Sequence, residues 1–494
     1  MRSFPVSQRL VVLSLLAVAL PLGGCSFSLP RWQPEQMQPQ SRQWQARLPH
    51  DGSQVALLGW WKQFDDPVLP LLIDTANASH PTLQRALAAI KEARATTQQR
   101  QSDLLPRIDG SVSSQRVGDR SDTKPGSINT AYPEALNTNS GLDAKWELDL
   151  FGGLRQAQTA AEARLSGRRH AWHEARISLS AEVAGKYLQY RACRQLWRLN
   201  QNEADSRQES AQLTEIAVQA GLQAPTELHL AQARQQEALS ALSAQEALCA
   251  QSVKSLVTLS GLEEATLLKL LDDPSDRLPQ PATFEVRSLP ADLLTQRPDL
   301  AVLEQDVIAS IADMGQADAN RLPRLTLSGT IALNALQTSH AVIATQPWAL
   351  GPQLALPLLD GGARQARVEE AAARHEQAVA RYQAAVRSAV EEVESALVTL
   401  ESARVRLQAA QATVEHQHSL LVSQQQWQQQ GGISRLSLEE FRRTLLAAQR
   451  SEVTLQRERV QAWITLYKSL GGGWQVDQQD PASASLPSQQ RDEP

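Results

Sequence analysis

Two repeating patterns of apolar positions divide this chain. In four short segments every second residue is apolar, which is the period of a β-strand whose two faces differ. The alternation is clearest from Leu142 to Leu150 and from Leu325 to Leu333, and it is weak in the first segment. The pattern predicts strands at about 107–118, 140–151, 324–336 and 347–359.

The two faces of these strands also differ in charge. Asp143, Lys145 and Glu147 alternate with the apolar side chains of Leu142 and Leu148. Segments of about ten residues with one charged and one apolar face are typical of a membrane barrel with a wet lumen. The alternative is a small soluble sheet that packs on helices.

Long tracts without proline follow each pair of predicted strands. They run roughly over 154–220 and 363–430, and at 1.5 Å per residue each helix is about 100 Å long. Helices of this length have to pack along other helices, and the tracts at about 226–260 and 434–470 supply the partners. The alternative is a soluble coiled-coil rod, in which the alternating strands have no use.

The chain is internally duplicated. Pro81 and Pro298 are separated by 217 positions, and so are Pro106 and Pro323, which end two shorter helices where strands begin. Each half therefore predicts a helix, two strands, a very long helix, a turn and a long helix. The two structural repeats are predicted at 65–280 and 281–473.

Two strands per repeat are too few to close a barrel. Single-chain membrane barrels begin at about eight strands, and an open sheet edge in lipid leaves backbone groups unpaired. If these strands lie in a membrane, the chain shares its barrel with copies of itself, and three copies supply about twelve strands. Composition alone does not choose three copies over two or four.

The N-terminus has the features of an export signal. Arg2 and Arg9 precede an apolar run of about 13 residues, which is too short to span a bilayer. The run ends in Leu-Gly-Gly-Cys25, which resembles the bacterial lipobox, and Ser26 favours the outer membrane in such lipoproteins. A signal peptide is predicted at 1–24 and a lipidated, extended segment at 25–64, with palmitate expected on Cys25. The alternative is an ordinary cleavage site beside an unrelated cysteine.

Composition and the absence of known motifs argue against two classes of function, nucleic-acid binding and catalysis. The 494 residues carry a formal charge of -5, which becomes about -7 without Arg2 and Arg9, and this argues against a nucleic-acid partner. No P-loop, HExxH, GxSxG or CxxC motif is present, so neither an enzyme nor a cofactor is expected beyond the lipid. His170 and His173 are expected on the helix surface, with no metal, and 474–494 is expected to be disordered.

Two of the three cysteines lie at matching positions. Cys193 and Cys249 are each 28 residues from Gly221, where the first long helix turns back. Both are therefore about 42 Å from the turn. An exported protein meets an oxidising compartment, so these cysteines are a candidate disulfide, and two buried thiols are the alternative.

Several segments resemble one known family. Leu289-Pro290 to Leu300, including Arg297-Pro298-Asp299, is similar to the outer-membrane factor (TolC) family, and closest to its NodT/OprM-type lipoproteins. The resemblance extends to Trp146–Gly153 and Pro357–Gly362, and covers nearly the whole mature chain.

This resemblance implies a fold that is mainly α with a membrane β-barrel. It implies a homotrimer with a 12-stranded barrel in outer-membrane lipid and a periplasmic α-helical barrel. The partners implied are a periplasmic adaptor, or membrane fusion protein, and an inner-membrane pump of the RND type. The function implied is a passive exit duct for drugs or toxic small molecules. The alternatives are a conduit for ABC-driven peptide or protein secretion, and a lipid-anchored periplasmic scaffold without a pore.

The resemblance assigns roles to the two helix turns. Gly221 to Pro225 and Gly431 to Ser434 reverse the chain, and Gly221, Gly431 and Gly432 allow tight turns there. By resemblance, these turns are also the periplasmic tips that dock to the adaptor.

The second turn is followed by a candidate gate. Leu436, Glu440 and Arg443 fall on the positions that carry Leu, Asp and Arg at the family's inner tip, and their spacing places them on one helix face. In a threefold assembly such a face forms a ring of leucines and a ring of carboxylates. Glu439 with Arg442 is a rival register, and an ordinary solvated charge cluster is the other alternative.

Overall fold

The computed structural model describes residues 59–118, 135–272, 277–281, 296–338 and 341–474. The described residues form two compact units. The first contains Gln98–Ala161 and Val307–Gln377, and the second contains the described parts of Glu35–Thr97, Glu162–Asp306 and Ala378–Pro494. The predicted signal peptide, Cys25 and the tail beyond Trp474 lie outside the described residues.

Helices dominate the chain. A 3₁₀ turn at Trp60–Gln63 precedes α1 (Val68–Ser79), α2 (Pro81–Ser102), α3 (Gly153–Gln219), α4 (Pro225–Ser260), α5 (Glu264–Leu271), α6 (Pro298–Ala319), α7 (Ala363–Gln429) and α8 (Arg435–Ser469). The strands are β1 (Arg107–Val117), β2 (Ala135–Leu148), β3 (Arg324–Gln337), β4 (Val342–Thr345) and β5 (Trp348–Ala355). The two long helices, α3 and α7, have 67 residues each.

The first unit contains one antiparallel sheet in the order β1-β2-β3, with both β4 and β5 paired to β3. Leu142 pairs with Gly110 on one side and Ile331 on the other, and Ile331 pairs with Trp348. The side chains of Leu142, Ile331 and Trp348 are 53%, 59% and 76% exposed. The apolar face of the sheet is therefore uncovered by the rest of the described chain.

The sheet also has unpaired edges. Among the described residues, β1 pairs only with β2, and β5 pairs only with β3. Unpaired strand edges are sites at which another chain can continue the sheet. None of the helices in the described ranges has a stretch that is both long and apolar enough to cross a bilayer.

The strand predictions need correction at two ends. β2 ends at Leu148 and not at residue 151, because both carboxylate oxygens of Asp149 accept backbone N–H groups at the start of α3. β5 ends at Ala355 and not at residue 359, and Asp360 caps the start of α7 in the same way. The apolar alternation in the sequence continues beyond the end of each strand into the segment that caps the next helix, so it predicted strands that are too long.

Two further elements differ from the sequence predictions. β4 was not predicted, since four residues are too few for a clear period of two, and β2 begins at Ala135, five residues before its predicted start. The helices expected to reach residues 105 and 322 end at Ser102 and Ala319. Backbone turns, such as the bond from Leu105 N to Ser102 O, fill the interval before the following strand.

In the second unit, α3 and α8 pack antiparallel. Arg435 contacts Glu209 near the start of α8, whereas Arg450 contacts Asn200 further along. Alanines and aliphatic residues make up most of the core of the unit. Fully buried members include Val183, Leu188, Val393, Ala403 and Leu466.

Residues 59–67, directly before α1, are folded, although 25–64 were predicted to be extended; residues 25–58 of that prediction lie outside the described residues. Trp60 is fully buried and stacks on Tyr467 of α8 at a centroid distance of 4.9 Å, with Trp61 and Phe64 beside it. These ring contacts stabilise a 3₁₀ turn that the surrounding sequence does not predict. The carboxylate of Asp66 begins α1 and accepts a hydrogen bond of 2.6 Å from the Tyr187 hydroxyl of α3.

Candidate functional site

Arg443 of α8 binds the facing helix α3. Its side chain is 6% exposed, and its Nη1 atom donates to the Oγ atoms of Ser206 at 3.0 Å and Ser210 at 2.8 Å. Its Nη2 atom donates to Oε1 of Glu440 at 2.5 Å. Because the two serines are one helical turn apart, both reach the same guanidinium group. We call Arg443, Ser206, Ser210 and Glu440 the Arg443 latch.

The three predicted gate residues occupy different environments. Arg443 is buried against α3, Leu436 is half-buried, and the Glu440 side chain is 64% exposed. Glu440 and Arg443 are in direct contact, as their spacing of three residues predicts. The positive charge of Arg443 is therefore buried, and the carboxylate of Glu440 is accessible to solvent.

The rival register also forms an ion pair. Arg442 Nη1 lies 3.8 Å from Oε1 of Glu439, whose side chain is only 7% exposed. The other carboxylate oxygen of Glu439 is buried and forms no hydrogen bond. Each arginine thus pairs with the carboxylate three residues before it, and only Arg443 also binds serines of α3.

Two more arginines of α8 contact α3 on either side of the latch. Arg435 Nη2 donates to Oε1 of Glu209 at 2.6 Å. Arg450 Nη1 donates to Oδ1 of Asn200 at 3.2 Å, and its Nη2 lies 3.5 Å from Glu203. These contacts add partly exposed polar bonds to the buried bonds of Arg443 between the two helices.

Both helix tips have the same backbone arrangement. Gly221 and Gly431 have φ values of 69° and 79°, which places both in the left-handed region that favours glycine. The N–H of Leu222 donates to Ala217 O at 2.8 Å, and the N–H of Gly432 donates to Trp427 O at 2.9 Å. This is the Schellman pattern of helix ends.

The side chains at the tips differ. Leu222 is 79% exposed at the first tip. At the equivalent position of the second tip, a Cβ atom on Gly432 would lie 1.9 Å from Nε1 of Trp427. The indole of Trp427, 52% exposed, fills this space. Each tip therefore presents one large apolar side chain from a different position of the turn.

The return helices restart by two different means. α4 begins with Pro225, whose missing N–H needs no partner in the first turn. α8 begins after Ser434, whose Oγ accepts the N–H of Ser437 at 3.0 Å. The predicted tip residues therefore have clear structural roles, whatever they bind.

Cys193 of α3 and Cys249 of α4 are joined by a disulfide with an S–S distance of 2.08 Å and a Cα–Cα distance of 5.5 Å. Both cysteines are buried. The sequence had left this bond and two free thiols as alternatives. The structure contains the bond.

Arg297, in the segment that carries the family resemblance, is buried at the end of α8. Its Nε and Nη2 atoms form a two-pronged contact with Asp299, at 3.0 Å and 2.6 Å, and Nη1 reaches Glu392 at 2.8 Å and Ser469 O at 3.1 Å. Burial by itself lowers the pKa of Arg297, but the bonds to Asp299 and Glu392 outweigh it and raise the pKa. The motif has a structural role in joining α6, α7 and α8.

The prediction of surface histidines was wrong for His170 and His173. His173 is buried, His170 is half-buried, and both rings contact Trp474, with centroid distances of 6.1 Å and 5.2 Å. Trp474 itself is 3% exposed, so the part of the predicted disordered tail that is described is packed. Within the described ranges, no group of histidine, cysteine and carboxylate side chains is arranged to hold a metal.

Sequence patterns alone did not identify three residues of the site. Ser206 and Ser210 are ordinary residues of a helix rich in serine, glutamine and alanine, and nothing in their spacing marks them as partners of Arg443. Trp427 was also missed, although the unusual pair Gly431-Gly432 close behind it is a usable signal.

Two solved structures with this fold are outer-membrane channels. The outer-membrane channel OprN matches with a TM-score of 0.76 and 27% identity, over 90% of this chain and 99% of that one. The open state of the MtrE outer membrane channel of Neisseria gonorrhoeae matches in fold, with a TM-score of 0.76 and 24% identity over 92% and 99% of the two chains. The fold is therefore that of a TolC-like outer-membrane channel.

The sequence relatives agree with this class. The pyoverdine export outer membrane protein OpmQ of Pseudomonas aeruginosa is 29% identical over 474 residues, which are 94% of this chain and 98% of the relative. The toluene efflux pump outer membrane protein TtgC of Pseudomonas putida is 30% identical over 475 residues, 94% and 96% of the two chains. The outer membrane efflux protein family matches residues 72–262 and 289–472. The chain belongs to this family and is an outer-membrane protein.

Proposed function

We propose that three copies of this chain form a passive exit duct through the outer membrane. The observation that carries the proposal is the sheet of the first unit, which leaves both β1 and β5 with an unpaired edge and exposes an apolar face. In lipid such a sheet has to be closed by further strands. Four long strands from each of three copies supply about twelve, an even number that suits an antiparallel barrel.

The duct has partners that supply energy and substrate. We infer docking to a periplasmic adaptor and to an inner-membrane pump of the RND type, since relatives named as pump components match over nearly their whole length. The names of two relatives mention toluene efflux and pyoverdine export, both small molecules. Drugs or toxic small molecules are therefore the proposed cargo, and the chain itself performs no catalytic step.

The adaptor binds the two helix tips in this proposal. Leu222 and Trp427 present apolar surface to solvent next to glycines that fix the turns. Exposed large apolar side chains at a rigid turn are well suited to fill pockets of a partner. A partner that binds both tips has to accommodate a leucine at one and an indole at the other.

The Arg443 latch closes the periplasmic end. It joins α8 to α3 through a buried guanidinium, and charge-assisted hydrogen bonds of this kind are worth about 1.5–3 kcal/mol each when made. Glu440, at the accessible end of the latch, places carboxylates at the entrance when three copies meet. Separation of α8 from α3 breaks the bonds of Arg443 to Ser206 and Ser210 and widens the entrance.

Cys25 carries the lipid that anchors the N-terminus to the outer membrane. This proposal rests on the apolar run and the Leu-Gly-Gly-Cys sequence, and the anchor would act together with the sheet. Replacement of Cys25 by serine removes the thiol that is acylated. The intact mass of the mature variant should then be lower than that of the wild type by the mass of the fatty acyl groups.

Conductance and drug susceptibility test the proposed duct. Purified full-length protein in a planar lipid bilayer should form channels, and deletion of its gene should lower the resistance of the host to small toxic compounds. A protein that inserts without conductance, or a deletion that changes only peptide or protein secretion, would overturn the proposal.

A further inference from the structure

The disulfide between Cys193 and Cys249 closes a covalent loop around the first helix tip. The two cysteines are 56 positions apart, and Ser206 and Ser210 lie between them on α3. Glu209, the partner of Arg435, lies there as well. The two α3 residues of the Arg443 latch therefore lie inside the loop that the disulfide closes.

The second hairpin lacks such a bond. The long helices of the two repeats begin 210 residues apart, and so do the return helices. With this offset, Cys193 corresponds to Ala403 and Cys249 to Arg459. The two repeats have similar backbones, but only the α3–α4 hairpin is cross-linked by a disulfide. This hairpin also contains Ser206 and Ser210 of the latch.

Without the disulfide, weaker bonds hold α3 to α4 at this level. Gln245 Nε2 of α4 donates to the carbonyl oxygen of Cys193 at 3.4 Å and to Sγ of Cys193 at 2.9 Å. Most of α4 between Pro225 and Cys249 is exposed, with Leu230, Leu239 and Leu248 each about half exposed. A cross-link limits the conformations of such a loop far more than these hydrogen bonds do.

We propose that the Cys193–Cys249 disulfide is a redox-dependent tie that holds α3 in the position required by the Arg443 latch. When a dithiol reduces it, two electrons and two protons pass to the cystine, the S–S bond breaks, and two thiols form while the dithiol closes to its own disulfide. Noncovalent contacts alone then hold α3 to α4, so the positions of Ser206 and Ser210 are less restricted and the closed end of the channel loosens. This inference rests on the proposed gate.

Conductance in two redox states tests the tie. Full-length channels in planar bilayers are recorded before and after dithiothreitol, with complete reduction established by mass spectrometry of alkylated thiols. Reduction should raise the resting conductance at least twofold, and glutathione disulfide should restore it. The double variant Cys193→Ser/Cys249→Ser should conduct like the reduced protein and should not respond to dithiothreitol.

Hydrogen exchange gives a second measurement that does not depend on conductance. Reduction should speed amide exchange in α3 between Ser206 and Gln219 and in the facing start of α8, while exchange in α7 should stay the same. Unchanged exchange in these helices after complete reduction overturns the tie, and so does unchanged conductance of a working channel. A protein that never conducts, but whose exchange responds to reduction, overturns the proposed duct instead.

Discussion

Nη1 of Arg443 lies 2.8 Å from Oγ of Ser210, a residue 233 positions earlier in the chain. The bond joins the last helix to the first long helix, and Ser206 shares the same donor at 3.0 Å. A guanidinium that is 6% exposed has no ready exchange with water, so its bonds to Ser206 and Ser210 contribute to holding α8 against α3.

Arg443→Ala should raise the resting conductance several-fold, because it removes the donor that joins α8 to α3. Ser206→Ala/Ser210→Ala should raise it to a similar extent, since it removes both acceptors of that donor on α3. Single-channel recording measures both. Arg442→Ala is the matched control: it removes the same charge one residue away, from a side chain that is 41% exposed, and should leave the conductance close to wild type. Equal effects of Arg442→Ala and Arg443→Ala would contradict the latch.

Leu222→Ser and Trp427→Ser should each weaken adaptor binding about tenfold, the effect of losing one apolar anchor. Binding of a purified adaptor to the reconstituted channel measures this effect. Leu248→Ser is the control, since Leu248 is 49% exposed but lies far along α4 from the turn. If the control loses as much affinity as the tip variants, docking at the tips is wrong.

Gly432→Ala tests the same tip by another route. Its new Cβ atom would meet the Trp427 indole, which has to move aside. The variant should therefore lose as much adaptor affinity as Trp427→Ala, and the double variant should lose no more than either. Additive losses in this double-mutant cycle would show that Gly432 acts independently of the indole.

Arg297→Ala should lower the thermal midpoint of unfolding by several degrees. It leaves Asp299, Glu392 and Ser469 O without the buried donor that joins them, a loss of about 1.5–3 kcal/mol for bonds to a charged group. Thermal unfolding followed by circular dichroism measures the shift. Arg457→Ala, at an exposed position of α8, is the control, and an equal shift in both variants would contradict the role of Arg297.

Acid should loosen the packing of Trp474 on His170. Burial, and then the charge of Arg169, lower the pKa of His170 below its ordinary value of 6.5. The folded chain thus holds fewer protons at this site than the unfolded chain, so stability is full above pH 6.5 and falls as pH drops through the folded pKa. Between pH 8 and pH 5, the midpoint of thermal unfolding should fall more in wild type than in His170→Gln. Parallel decreases in the two proteins would rule out this contribution.

The sequence patterns predicted the elements whose signals are local. The length of α3 and α7 follows from 67 residues without an internal proline, and the tips follow from Gly221 and Gly431. Strand ends were missed because Asp149 and Asp360 serve the next helix while the apolar alternation continues past them.

The contacts that define the site are not local. Ser206 and Ser210 gain their role only when α8 lies against α3, and periodicity cannot pair two helices that are more than 200 residues apart. His173 looked like a surface residue because its packing partner, Trp474, lies some 300 positions away. Contacts of this range require the tertiary fold.

The number of chains in the membrane-extracted protein tests the central claim most directly, because the proposed duct exists only if several copies complete one sheet. Native mass spectrometry of full-length protein, extracted in a mild detergent, measures this number. We expect three copies, held together until the detergent is made denaturing. A stable monomer that still conducts ions would contradict the account, since the described sheet of one chain has unpaired edges at β1 and β5.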